Sequence, residues 1–146
     1  MNSNGEITPV NAADRANSIA LMGGIAATVN LVKHQFPDLR VDMKPWLPDE
    51  VAQEWIDPHS IDIGFHFPGL SRSCACRSIL MQIRFFDDPE DGQSRAIGTE
   101  LAGYDHRGQC WRFSTVEQWT VSGEESPKPE MREKFKIICR QVFEVF

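Results

Sequence analysis

Leu101-Ala-Gly-Tyr-Asp-His-Arg-Gly-Gln-Cys-Trp-Arg-Phe113 carries a β-hairpin whose register can be worked out residue by residue. Asp105-His106-Arg107-Gly108 suits a type I turn followed by glycine in the left-handed conformation, a three-residue loop with a bulge. Pairing 105 with 109 places Leu101 opposite Phe113, Gly103 opposite Trp111 and Thr99 opposite Thr115. The apolar residues of both strands then share one face, so turn chemistry and hydrophobic pattern agree independently.

The same two-residue period runs through the preceding chain. In Ile61-Asp-Ile-Gly-Phe-His-Phe67 every odd position is apolar and every even one is Asp, Gly or His, as in a half-buried strand. Residues 77–86 put Ile79, Met81, Ile83 and Phe85 on one side and Ser78, Gln82 and Arg84 on the other, with Leu80 the exception. A loop at 87–92 follows. The sequence thus predicts about four antiparallel strands, at approximately 61–67, 77–86, 94–104 and 109–121.

Helical spacing flanks this region. Thr8-Pro9 reads as an N-cap with proline at the first helical position, and Met22, Ile25, Val29, Val32 and Phe36 then recur at intervals of three and four. Gly23-Gly24 marks close helix packing or a bend. A short helix is predicted after Pro48-Asp49-Glu50, with Val51, Ala52, Trp55 and Ile56 on one side and Asp57-Pro58 as its stop. After Ser126-Pro127, the residues Met131, Phe135, Ile138, Val142 and Phe146 form a broad apolar stripe. The resulting expectation is one α+β domain over 1–146, frayed at 1–7, with helices packed on the sheet face that carries Ile79, Met81, Ile83, Phe85, Ile97, Leu101, Trp111, Phe113 and Trp119.

Composition narrows the classes of function. The chain has 146 residues, 41% hydrophobic and 25% charged, the balance of an ordinary globular domain. Its 21 acidic and 15 basic residues give a net charge of -6, which argues against nucleic acid or an anionic membrane as a partner. MNSNGEITPV carries no signal-peptide pattern and no run reaches about 18 apolar residues, so a cytoplasmic protein is expected. Cys74, Cys76, Cys110 and Cys139 are then read as free thiols.

The register also defines the opposite face of the sheet. Ala96, Gly98, Glu100, Ala102 and Tyr104 form a row of mostly small residues there, between Ser78, Gln82 and Arg84 on one side and Cys110, Arg112 and Ser114 on the other. Such a trough, with Glu100 between two arginines, suits an anionic or amide-bearing ligand. The candidate binding residues are Arg84, Glu100, Tyr104, Arg112, Gln82 and Ser114. The leading expectation is a small non-catalytic ligand-binding or regulatory domain, a homodimer, with no cofactor or metal. The alternative is a small enzyme with Glu100 as general base and Arg84 or Arg112 stabilising an anion. Against both stands the bland reading, a plain solvated face with cross-strand ion pairs, which antiparallel sheets commonly leave; a homodimer across the same surface is the third possibility.

Cys74-Ala75-Cys76 lacks the paired spacing of a zinc site, and a metal or thiol sensor there is the weakest reading. By the same alternation Cys74 and Cys76 share the face of Tyr104 and Cys110. Cys76 and Cys110 lie two strands apart, about 9.6 Å at normal strand spacing and beyond disulfide reach. No histidine sits beside a nucleophile with a third orienting group, and G-x-S-x-G and phosphate-loop spacings are absent. Trp46, between Pro45 and Pro48 in a connector, is either an exposed anchor or a lid over the sheet.

Overall fold

The computed structural model describes residues 11–46, 59–87 and 94–146. The helix start at Thr8-Pro9, the frayed segment 1–7, the helix at 48–56 with its Asp57-Pro58 stop and the loop at 88–92 lie outside the described residues. Helix α1 (Ala12–Arg15) and helix α2 (Ile19–Gln35) are followed by β1 (Arg40–Asp42), β2 (Ser60–Ser71), β3 (Cys76–Asp87), β4 (Ser94–Asp105), β5 (Gly108–Ser114), β6 (Thr120–Gly123) and helix α3 (Pro129–Val145). The architecture is α+β. The strands form one antiparallel sheet in the order β1-β2-β3-β4-β5-β6, each paired with its neighbours in sequence. Among the described residues no helix is long and apolar enough to cross a membrane.

The sheet has six strands, not about four, for two reasons. β1 is only three residues long and pairs Val41 with Phe65, too short to show an alternating pattern. The predicted strand 109–121 is two strands, because the chain reverses at 115–119 with Gln118 (φ 60°) and Trp119 (φ 59°) left-handed. Trp119 N donates to Ser114 O (3.1 Å) and Thr120 Oγ1 to Glu117 O (2.7 Å), closing that turn.

The β4–β5 register holds in its body: Leu101 pairs with Phe113 and Gly103 with Trp111. Its tip is tighter than expected, with Asp105 opposite Gly108 and Tyr104 opposite Gln109, so Cys110 is the extra residue of the bulge. Gly108 has φ +120°, which only glycine adopts without strain. Gly103 matters through its missing side chain, since a Cβ there would run into the Trp111 indole ring.

A second register shift, between Arg84 and Phe85, explains a misplaced pair. Arg84 faces Gly98 and Phe85 faces Ala96, which leaves Ile97 as the extra residue, 56% exposed instead of in the core. Ala96, expected on the polar face, packs against the core in its place.

The core lies between the helices and one face of the sheet. Ile61, Ile63 and Phe65 of β2, Ile79, Met81 and Ile83 of β3, Leu101 of β4, and Trp111 and Phe113 of β5 meet Ile25 and Val32 of α2 and Phe135, Ile138 and Val142 of α3. Phe135 stacks on Trp111 with ring centroids 5.2 Å apart and reaches Phe36 at 5.7 Å. The α3 stripe is therefore buried where its spacing demands. In α2 the buried line is Gly24, Ile25, Thr28 and Val32, whereas Met22 is 54% exposed. Ser18 caps this helix by accepting from Leu21 N (3.1 Å), and Gly24 lies against Phe146, so Gly24 serves close packing while Gly23 faces open space.

Candidate functional site

The face turned away from α2 and α3 divides the predicted site into two parts. The first is centred on Glu100, whose side chain is only 6% exposed. Its neighbours are placed by the ladder, Gln82 and Ser114 directly opposite and Arg112 opposite Ala102, two residues along β4 on the same face. Oε1 accepts from Arg112 Nη2 and from Ser114 Oγ (3.4 Å), while Oε2 accepts from Arg84 Nη2 at 3.4 Å. Arg112 also reaches Glu117 at 3.5 Å. The hydrogen bond to Glu100 outweighs burial and raises the Arg112 pKa above its usual value. Both Glu100 oxygens are engaged, so the carboxylate acts here as the hub of an ion cluster.

The second part is a cleft of about 240 Å³, lined among others by Trp46, Gly64, His66, Leu80 and Tyr104. Its wall is the connector after β1. Asn11 pairs with Trp46 through both amide atoms, accepting from Trp46 N (2.9 Å) and donating to Trp46 O (3.0 Å). The clamp lets the Trp46 indole N–H reach down to Asp62 Oδ2 on β2. Ser60 Oγ donates to Asp62 Oδ1 at 2.6 Å and Gln82 Nε2 to Asp62 Oδ2 at 3.2 Å. Asp62 is fully buried, as is Ser60. Gly64 admits this wall, since a Cβ there would press on Pro45 (3.2 Å) and Asp42 (3.3 Å).

At the rim, His66 Nε2 lies 3.2 Å from Asp42 Oδ2, each side chain about a third exposed. Burial raises the Asp42 pKa, but hydrogen bonds from Lys44 N–H and His66 and the charges of His66 and Arg40 prevail and hold it below its ordinary value. Tyr104 is pushed up by burial and by the nearby Asp62 charge, so its phenol is neutral at physiological pH; its hydroxyl donates to Gln109 Oε1 at 3.4 Å.

Of the six predicted residues, Glu100, Arg84, Arg112 and Ser114 therefore gather in one cluster, Tyr104 lines the cleft, and Gln82 connects to it through Asp62. The residues not singled out as a site are Asp62, Ser60, Asp42 and His66. Asp62 and His66 are visible in the sequence as polar positions of an alternating strand, without any sign that one is buried. Trp46 is a cover rather than a free anchor.

The cysteines belong elsewhere. Cys74 and Cys76 lie in the hydrophobic core, not on the polar face, because Ala75 turns left-handed (φ 56°) and the β2–β3 register shifts before Ser71, breaking the alternation. Burial, with Cys74 and Cys110 nearby, pushes the Cys76 thiol up to about 12, against a hydrogen bond from the Trp111 indole. Such a thiol is a poor nucleophile at neutral pH. All four cysteines are buried and free. Among the described residues no group of three or more His, Cys, Asp or Glu side chains is placed to hold a metal ion.

A meander sheet backed by two long helices, with a largely apolar cleft tipped by polar groups on its other face, defines the class. The chain belongs to a family described as a domain of unknown function, whose model matches residues 13–146. No curated protein and no solved structure matches it.

Proposed function

We propose that the protein is a small non-catalytic ligand-binding domain whose ligand enters the cleft beneath Trp46, on the sheet face away from the helices. The observation that carries this reading is Asp62, a fully buried carboxylate. Burying a carboxylate is costly unless donors replace its water. The donors from Trp46, Ser60 and Gln82 do so, and they fix the Trp46 ring as one wall of the cleft. A rigid aromatic wall, an apolar side at Pro45 and Leu80, and polar tips at Tyr104, Ser78 and His66 form the usual composition of a small-molecule site. The volume is slightly below the common range of about 300–1,000 Å³, so the ligand is small. In this reading the Glu100 cluster holds β3, β4 and β5 together beside the site.

The homodimer and the cytoplasmic setting expected from the sequence belong to the same proposal. Exposed Phe86, Ile97 and Val116 supply apolar surface for a second copy, and four buried free thiols suit a reducing compartment. Native mass spectrometry of protein purified gently from its own host reads subunit number and bound ligand together. A small extra mass in the wild type that is lost in Leu80→Trp, which fills the cleft, supports the reading. A bare wild-type mass, or full retention of the ligand in the filled variant, overturns it.

A further inference from the structure

A second cavity lies at one end of the sheet, between the β2–β3 turn and the tip of the β4–β5 hairpin. It encloses about 290 Å³ and is bordered by Arg72, Arg77, Arg107 and His106, by the carboxylates Asp105 and Glu125, and by Leu70 and Ala75. Three guanidinium groups at one cavity are unexpected in a chain of net charge -6. We propose that this cavity binds a small organic anion, its phosphate or carboxylate held by Arg72 and Arg77 and its apolar body resting on Leu70 and Ala75.

The charges are already sorted for such a ligand. Both carboxylates are committed to Arg107, which meets Asp105 Oδ2 at 2.8 Å and Glu125 Oε1 at 4.0 Å. Arg72 and Arg77, by contrast, have no ion-pair or side-chain hydrogen-bond partner among the described residues. Two free guanidinium forks offer the planar, charge-assisted donors that phosphate and carboxylate accept. Leu70 is 56% exposed beside them, apolar surface that a ligand body would cover.

The turn that carries Arg72 and leads into Arg77 at the start of β3 is held by three hydrogen bonds. Cys74 N donates to Ser71 Oγ (3.1 Å), Trp111 Nε1 donates to Cys74 O (2.7 Å), and Lys128 N donates to Ser73 O (2.8 Å). Ala75 keeps a left-handed backbone, φ 56°, which a residue with a Cβ adopts only where its surroundings enforce it. Backbone fixed in this way lowers the cost of ordering the site on binding. The site shares no lining residue with the cleft beneath Trp46, so the two readings stand or fall separately.

The test is titration of the isotopically labelled full chain with inorganic phosphate, phenyl phosphate, benzoate and neutral benzyl alcohol, followed by NMR at the backbone and arginine Nε–H signals. Saturable shifts confined to the two turns are expected, with phenyl phosphate binding more tightly than inorganic phosphate and benzyl alcohol not binding. Arg72→Ala/Arg77→Ala should weaken phenyl phosphate by about tenfold or more, whereas Lys33→Ala, removing an exposed cation on α2, should leave it unchanged. Arg72→Gln/Arg77→Gln repeats the test with longer side chains should the alanine pair perturb the turn. Shifts spread over all cationic residues, or equal affinity in wild type and double variants, overturn the proposal. So does binding to anionic phospholipid vesicles without binding to phenyl phosphate, which would assign the arginines to a membrane surface.

Discussion

Asp105 accepts three N–H groups from a single neighbour: Arg107 N at 2.7 Å, Nη2 at 2.8 Å and Nε at 3.2 Å. The turn His106-Arg107 folds the arginine back over the residue that starts it, so a local loop carries its own ion pair. The side-chain and backbone hydrogen bonds from Arg107 lower the Asp105 pKa from 3.8 to about 2. A carboxyl whose folded pKa lies below its unfolded value contributes stability above the unfolded pKa and loses it as pH falls through the folded one. The contribution from Asp105 is therefore complete above pH 4 and fades between about 4 and 2. Carboxyl-carbon NMR should find the Asp105 midpoint near 2 in the wild type, and Arg107→Ala should return it towards 3.8. A wild-type midpoint near 3.8 would mean that the turn does not hold this pair in solution.

The reversal between β5 and β6 depends on two residues that are poorly suited to it. Left-handed backbone costs about 1–2 kcal/mol for a residue with a Cβ, and Gln118 and Trp119 both adopt it. Trp119 recovers the cost through its rings, with Phe113 at 6.2 Å and Phe143 at 6.4 Å, and through Arg140 over its face. Gln118 is exposed and has no such return. Gln118→Gly should raise stability by about 0.5–1 kcal/mol, the strain relieved less the entropy glycine adds to the unfolded chain, read as a higher urea midpoint at unchanged slope. An unchanged or lowered midpoint would count against strain at this position. The same residues explain why the reversal could not be read from the sequence. Thr115, Val116 and Trp119 have strand-forming side chains, and no Gly, Pro or Asn marks the turn. At Asp105–Gly108 the turn chemistry is written in the residues themselves, and the body of that hairpin was legible. The α3 stripe was legible for a related reason, because Phe135, Ile138 and Val142 follow helical spacing against a charged background. The bulge at Ile97 was not, nor was the placing of the hairpin's bulge at Cys110, since one extra residue leaves no mark in composition yet reverses the alternation beyond it.

Across the whole molecule, legibility follows the range of the contacts. The Glu100 cluster could be inferred because its members are cross-strand neighbours once a register is known. The cleft could not, because Asn11 must clamp Trp46 from 35 residues away before the indole can meet Asp62, 16 residues further on. Neither separation has a periodic signature. Phe135 shows the same range of contact on the other face of the sheet. It is 1% exposed and its ring meets Trp111 at 5.2 Å, Phe36 at 5.7 Å and Phe113 at 6.3 Å, so one side chain joins α3, the end of α2 and the β5 strand. Removing a buried phenylalanine ring typically costs about 3–5 kcal/mol, a large share of the roughly 5–15 kcal/mol that holds an ordinary domain. Phe135→Ala should therefore lower the urea midpoint sharply. Ile137→Ala, two residues along the same helix and 39% exposed, should change stability by no more than about 0.5 kcal/mol. Because Phe135 touches every layer, indole fluorescence and far-ultraviolet circular dichroism should still report one coincident transition in the variant. Helical signal that outlasts the fluorescence change would show instead that the helices and the sheet can come apart, and that Phe135 secures a contact between two units rather than the centre of one.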